Sequence, residues 1–200
     1  MKTPDGPLAL MSRRASLRCL AGCTLGLTVG AAGAQARSDK ARAWFTDTTL
    51  IDQDHRPHAF YSDLLAPRAV LINAAFVGCS SACPLLTQQL VKVREGLGDR
   101  FGRDIWFLSI TVDPLSDGPD ELKRFAQRQG ADAPGWRFLT GAPQDVKLVL
   151  GRLGLWVESP DAHQTGLIAG RAAGGHWGKL RPDGSSQALV QQLARFLAPA

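Results

Sequence analysis

Two near-continuous apolar runs, Ala69–Phe76 and Ile105–Val112, do most to restrict what this chain can fold into. Runs of that kind read as strands buried on both faces, the situation of parallel strands covered by helices. Parallel neighbours need a crossover of a dozen or more residues. The stretch from Pro84 to Leu97 supplies one, with proline at the first helical position, where its missing N–H costs nothing. Helices are also expected from Asp117 to Gln129, from Gln144 to Leu153 before Gly154, and from Ser185 to Leu197. Trp136–Leu139 reads as a short strand, and Gly166–Ala169 with His176–Leu180 as a strand pair. Thr48–Ile51 and His58–Tyr61 flank a polar turn with Pro57 and predict an N-terminal hairpin, with His55 and His58 facing solvent. The expected architecture is α/β, a central mixed sheet flanked by helices, with Trp106 and Trp136 in the core.

The charge is unevenly spread. Lys2, Arg13, Arg14 and Arg18 against Asp5 make residues 1–36 +3, which leaves +2 of the net +5 for the rest. No Lys/Arg run and no aromatic-basic stripe is present, which argues against a nucleic-acid partner. Residues 1–36 read instead as an export signal. A basic stretch, Ser12 to Arg18, precedes an uncharged run, Cys19 to Ala36, that ends in Ala34-Gln35-Ala36. The arginine pair marks the twin-arginine type. Leu20-Ala21-Gly22-Cys23 resembles a lipoprotein box, but lies too close to Arg18 to leave room for the apolar region. Residues 37–46 are expected as a linker and 47–200 as the folded domain. No later run reaches the roughly 20 apolar residues of a membrane span. The mature protein is thus expected in the periplasm or otherwise exported, tethered only where the signal stays uncut.

Export changes the cysteine arithmetic. Cys19 and Cys23 leave with the signal, so Cys79 and Cys83 are the mature chain's pair. A domain of this size needs no staple to fold, and a loop this short is a small entropic constraint. The pair therefore reads as chemical. It follows a strand and opens a helix, and a helix N-terminus lowers a thiol's pKa toward thiolate. Thiolates attack disulfides and bind soft metals, so the pair is a redox couple, a metal clamp or both. Asp113 and Asp117 follow the second long strand, where α/β sites collect. Asp117 reads as a turn and helix-capping residue, and Asp113 either as a group that supports the site's ligands or as a loop brace.

Four segments share one family pattern. They are Phe76-x-x-Cys79-x-x-x-Cys83-Pro84, Leu108-Ser109-Ile110-Thr111-Val112-Asp113-Pro114 with Asp117 and Pro119, Trp136-Arg137-Phe138-Leu139-Thr140-Gly141, and Asp161-Ala162-His163. With these, nearly all of the chain after the signal resembles the SCO/SenC family of thioredoxin-fold copper proteins. Departures from that pattern are Ser80 for a proline, Ser116 for an arginine, and one residue inserted before His163.

The resemblance implies a thioredoxin-like fold and a copper ion held by Cys79, Cys83 and His163. Thiolates select Cu(I) and imidazole also accepts Cu(II), so such a set can hold either state. Zinc is the runner-up, although structural zinc usually takes four protein ligands. His176 is the alternative third ligand. The implied role is delivery of copper to the dinuclear copper site of cytochrome c oxidase, with that enzyme's copper subunit as partner. A Cys79–Cys83 disulfide would exclude the metal, and a thioredoxin-like reductant would restore it. A thiol–disulfide oxidoreductase preparing target cysteines is the alternative, and a thiol peroxidase a more distant one.

Overall fold

The structure, a computed structural model, describes residues 26–79, 82–159, 165–172 and 175–197. The chain divides into two units, residues 1–36 and 37–200. The described part of the first, 26–36, is helical and belongs to α1 (Gly26–Phe45). No described helix is long and apolar enough to cross a membrane.

Residues 37–45, expected as linker, are the C-terminal part of α1. Their small polar composition hides an i, i+4 pair, Ala41 and Phe45, which packs against the core. Two hairpin strands follow, β1 (Thr49–Asp52) and β2 (Pro57–Ala59), paired antiparallel as expected. The second arm is shorter than expected, because Phe60–Leu65 turns into a π-helical segment. Phe60, Tyr61, Leu64 and Leu65 recur with helical spacing and are all buried.

The remaining elements alternate: β3 (Ala69–Ala75), α2 (Ala82–Leu97), β4 (Ile105–Thr111), α3 (Pro119–Arg128), β5 (Trp136–Thr140) and α4 (Pro143–Leu153). The hairpin β6 (Leu167–Arg171) and β7 (His176–Leu180) and the helix α5 (Ser186–Leu197) complete the chain. The sheet order is β2-β1-β5-β4-β3-β6-β7. Its centre, β5-β4-β3, is parallel, and an antiparallel pair extends each side.

Alternation along the strands splits the core into two layers. Leu71, Phe107, Trp136 and Phe138 face α2, α3 and α5. Val70, Ile72, Leu108 and Ile110 face α4, Phe45 and the π-helical segment. Trp136 is fully buried and stacked on Phe138. Trp106 departs from the expected core placement. It is half-buried at the margin of the second layer, with the Arg68 and Arg137 guanidiniums 3.8 and 4.7 Å from its ring centroid.

Register fixes which loops share an end. Ala75 pairs with Thr111 at the C-terminal edge of the parallel strands, and Asn73 with Leu167, where β6 begins. The loop after β3, the loop after β4 and Thr165 and Gly166, just before β6, thus lie at one end of the sheet.

Candidate functional site

Cys79 lies in the loop between β3 and α2, and Cys83 in the first turn of α2. Both are thiols. The Cys83 N–H donates to Cys79 Sγ at 3.4 Å, so the first sulfur accepts one of the helix's first-turn amides. Within the loop the Cys79 N–H donates to the Phe76 carbonyl at 3.2 Å. Two sulfurs are thereby gathered at one helix start, one partly buried and the other buried.

The expectation of an activated thiol at the helix start fails for Cys83. Its thiol is pushed up to about 12, above the ordinary value, because burial outweighs every favourable contribution; hydrogen bonding to Cys79 and the charges of Cys79 and Asp117 add to the rise. The sequence shows why. Cys83 leads the stripe Leu86, Leu90, Val93 and Leu97, which α2 lays on the sheet. Cys79, on the loop before α2, is the less buried of the two, although it too packs against this core layer.

Asp117 does something the sequence reading missed. It is 2% exposed and does not cap α3, whose N-cap is Gly118 with Pro119 following and no side-chain cap bond. Its Oδ2 accepts the Val77 N–H at 3.1 Å and the Thr111 hydroxyl at 2.6 Å. Burial raises its pKa; the bonds from Thr111 and Val77 offset part of that rise, and Asp113 and Glu121 add to it. The signal was present in Gly118-Pro119, since proline at N1 puts the cap on Gly118 and leaves Asp117 outside the helix. Asp113, read as a loop brace, receives the Ser116 and Asp117 amides on its carbonyl, while its own N–H donates to Thr111 Oγ1 at 2.9 Å.

His163 lies outside the described residues. Thr165, two positions later, lines a pocket of ≈ 310 Å³ with Ala82, Leu85, Leu86 and Gln89 of α2. His176, the alternative ligand, stands at the wrong end of the sheet. It pairs with Arg171, and Arg171 pairs with Ala69 at the start of β3. The six steps from Ala69 to Ala75 span about 20 Å. His58 departs from the solvated placement expected of it, because its ring sits 2.9 Å from the buried Asp52 carboxylate. His55 is exposed as expected, on Asp120. Among the described residues no three His, Cys, Asp or Glu side chains form a metal-holding group, so the donor set in view is the two sulfurs. That pair fits a soft ion, and a third ligand must come from elsewhere.

A family model described as SCO1/SenC matches residues 38–195. The chain is similar to the SCO1 protein homolog of Bacillus subtilis (strain 168), 28% identical over 131 residues, 64% of this chain and 66% of that protein. The match thus spans slightly less than two thirds of that relative's length. Among solved structures it is similar to Bradyrhizobium japonicum ScoI with copper bound, with TM-score 0.62 and 20% identity over 74% of this chain and 96% of that one. It is also similar to BsSco, described by its disulfide switch as a member of the Sco family of cytochrome c oxidase assembly proteins. There the TM-score is 0.64 at 21% identity, covering 76% of this chain and 91% of that one. At such identities these structures establish the thioredoxin-like fold. The family model, matched over most of the chain, establishes that this protein belongs to the SCO1/SenC family.

Proposed function

We propose that the protein is an exported copper carrier in which Cys79, Cys83 and His163 hold one copper ion, as Cu(I) or Cu(II). The observation that carries this reading is the gathering of a partly buried and a buried sulfur at the start of α2, in a member of this family. The copper-bound relative supports copper as the cargo. Thr165 shares a pocket with the first turns of α2, which supports His163 as the third ligand, since two residues of chain reach about 7 Å.

Copper occupancy is gated by the pair's own redox state. Joined as a disulfide, with two electrons and two protons given up to an oxidant such as another disulfide, the sulfurs have no thiolate to offer. The acceptor is the dinuclear copper site of cytochrome c oxidase, and a thioredoxin-like reductant reopens the pair. Leu85 and Leu115, 68% and 84% exposed, flank this end of the sheet and give a docking protein apolar surface. Residues 1–36 direct export, cut near Ala36 or kept as a tether; the boundary between the two units falls at the same place.

A second reading keeps the sulfurs and drops the metal. A partly buried Cys79 ahead of a buried Cys83 is also the arrangement of an attacking and a resolving thiol, which suits a thiol–disulfide oxidoreductase. His163→Ala separates the two. The carrier reading expects copper affinity to fall by at least about tenfold, the lower range for a disturbed metal site, with disulfide exchange unchanged. Unchanged copper affinity sinks the three-ligand site.

A further inference from the structure

We propose that Asp117 is a positioning residue for the sulfur pair: its buried carboxylate holds the loop Phe76–Cys79 in the shape that lets Cys79 and Cys83 face one ion. This rests on the copper reading above and deepens it. The carboxylate lies forty positions from the amide it holds, that of Val77. That amide is two residues before Cys79, inside the turn closed by the Cys79 N–H on the Phe76 carbonyl. The same oxygen accepts the Thr111 hydroxyl, which fixes its direction from the end of β4. Thr111 Oγ1 in turn takes the Asp113 N–H, and the Asp113 carbonyl takes the Asp117 N–H at 2.9 Å. The ring Thr111–Asp113–Asp117 is thus closed on itself and reaches the cysteine loop through the bond to Val77.

A helix start does not require this arrangement, because Gly118 and Pro119 already open α3. Burying a carboxyl group is costly unless it is hydrogen-bonded, and here one oxygen serves both Thr111 and the loop. The two sulfurs sit on different supports, one on α2 and one on the loop. Their relative placement therefore depends on what pins the loop. Groups that orient metal ligands in this way are worth about 10–100-fold in affinity.

The test compares Asp117→Ala, Asp117→Asn and wild type as full-length mature protein. Three quantities are read: Cu(I) affinity against a chelator, the Cys79–Cys83 disulfide equilibrium with glutathione in metal-free protein, and the thermal melt. Asp117→Ala is expected to lose about tenfold or more in Cu(I) affinity and to shift the glutathione equilibrium. Asp117→Asn keeps an oxygen for both donors and is expected to stay within about threefold of wild type. Wild-type affinity and equilibrium in a folded Asp117→Ala overturn the proposal. An Asp117→Asn as impaired as Asp117→Ala also overturns it, by assigning the effect to charge. Should Asp117→Ala not fold, Thr111→Val removes the orienting hydroxyl alone. A measurable loss of Cu(I) affinity is then expected, and wild-type behaviour contradicts the proposal. If wild type itself binds no copper, the carrier reading fails, while the glutathione equilibrium still decides the role of Asp117.

Discussion

The two sulfurs differ in kind, and that difference governs reactivity. Cys79 is partly buried, whereas Cys83 is 4% exposed with its thiol raised by burial. Limited alkylation of the reduced, metal-free protein at pH 8 should label Cys79 at least about tenfold faster than Cys83, because only thiolate reacts and only an accessible one. Mass spectrometry of the digested product reads this directly, and equal labelling would contradict the burial argument. His176→Ala should leave copper affinity unchanged, since the residue lies at the far end of the sheet. The sequence allowed the reach of His176 to stay open because spacing alone does not say which end of a strand a hairpin residue occupies; register does.

At the element scale, the β1–β2 hairpin is held by one buried carboxylate. Asp52 accepts the Asp54 and Arg56 amides and the His58 ring, and lies 3.4 Å from Arg137 Nε. Burial pushes its pKa up, but the His58, Arg56 and Asp54 bonds outweigh that and hold it below 3.8. The folded value is depressed, so the stabilisation is full above 3.8 and is lost as pH falls through the lower folded value. Asp52→Asn should cost about 1–3 kcal/mol at pH 7, with the gap to wild type narrowing below pH 3.8 in urea unfolding. A gap that stays constant would refute this linkage. In the β6–β7 hairpin, a Cβ at Gly170 would run into the Trp177 ring, which packs on Phe45 at 4.5 Å. Gly170→Ala should therefore destabilise by about 1–3 kcal/mol in the same assay, as overpacking does. Elements with a strong apolar period, β3, α2 and β4, were legible in the sequence. The helical stretch 37–45 and the π-helical segment were not, because each is defined by a few apolar contacts made only in the folded chain.

Across the whole molecule, topology is what turns the five-residue motif from Cys79 to Cys83 into a site. The parallel centre β5-β4-β3 brings the cysteine loop and the Asp113–Asp117 loop to one edge, and the β3–β6 register brings Thr165 and Gly166, just before β6, to the same edge. Two of the motifs read from sequence, the cysteine loop and the Asp113–Asp117 loop, therefore meet in space, although the bond from Val77 to Asp117 that joins them was not legible from spacing. In the proposed function the same two sulfurs either share a bond or share a copper ion. The decisive measurement is Cu(I) bound per chain by the mature protein, reduced and then with the Cys79–Cys83 disulfide formed. One copper is expected for the reduced protein and none for the oxidised protein. Copper retained by the oxidised protein, or by a Cys79→Ser/Cys83→Ser variant, would contradict it.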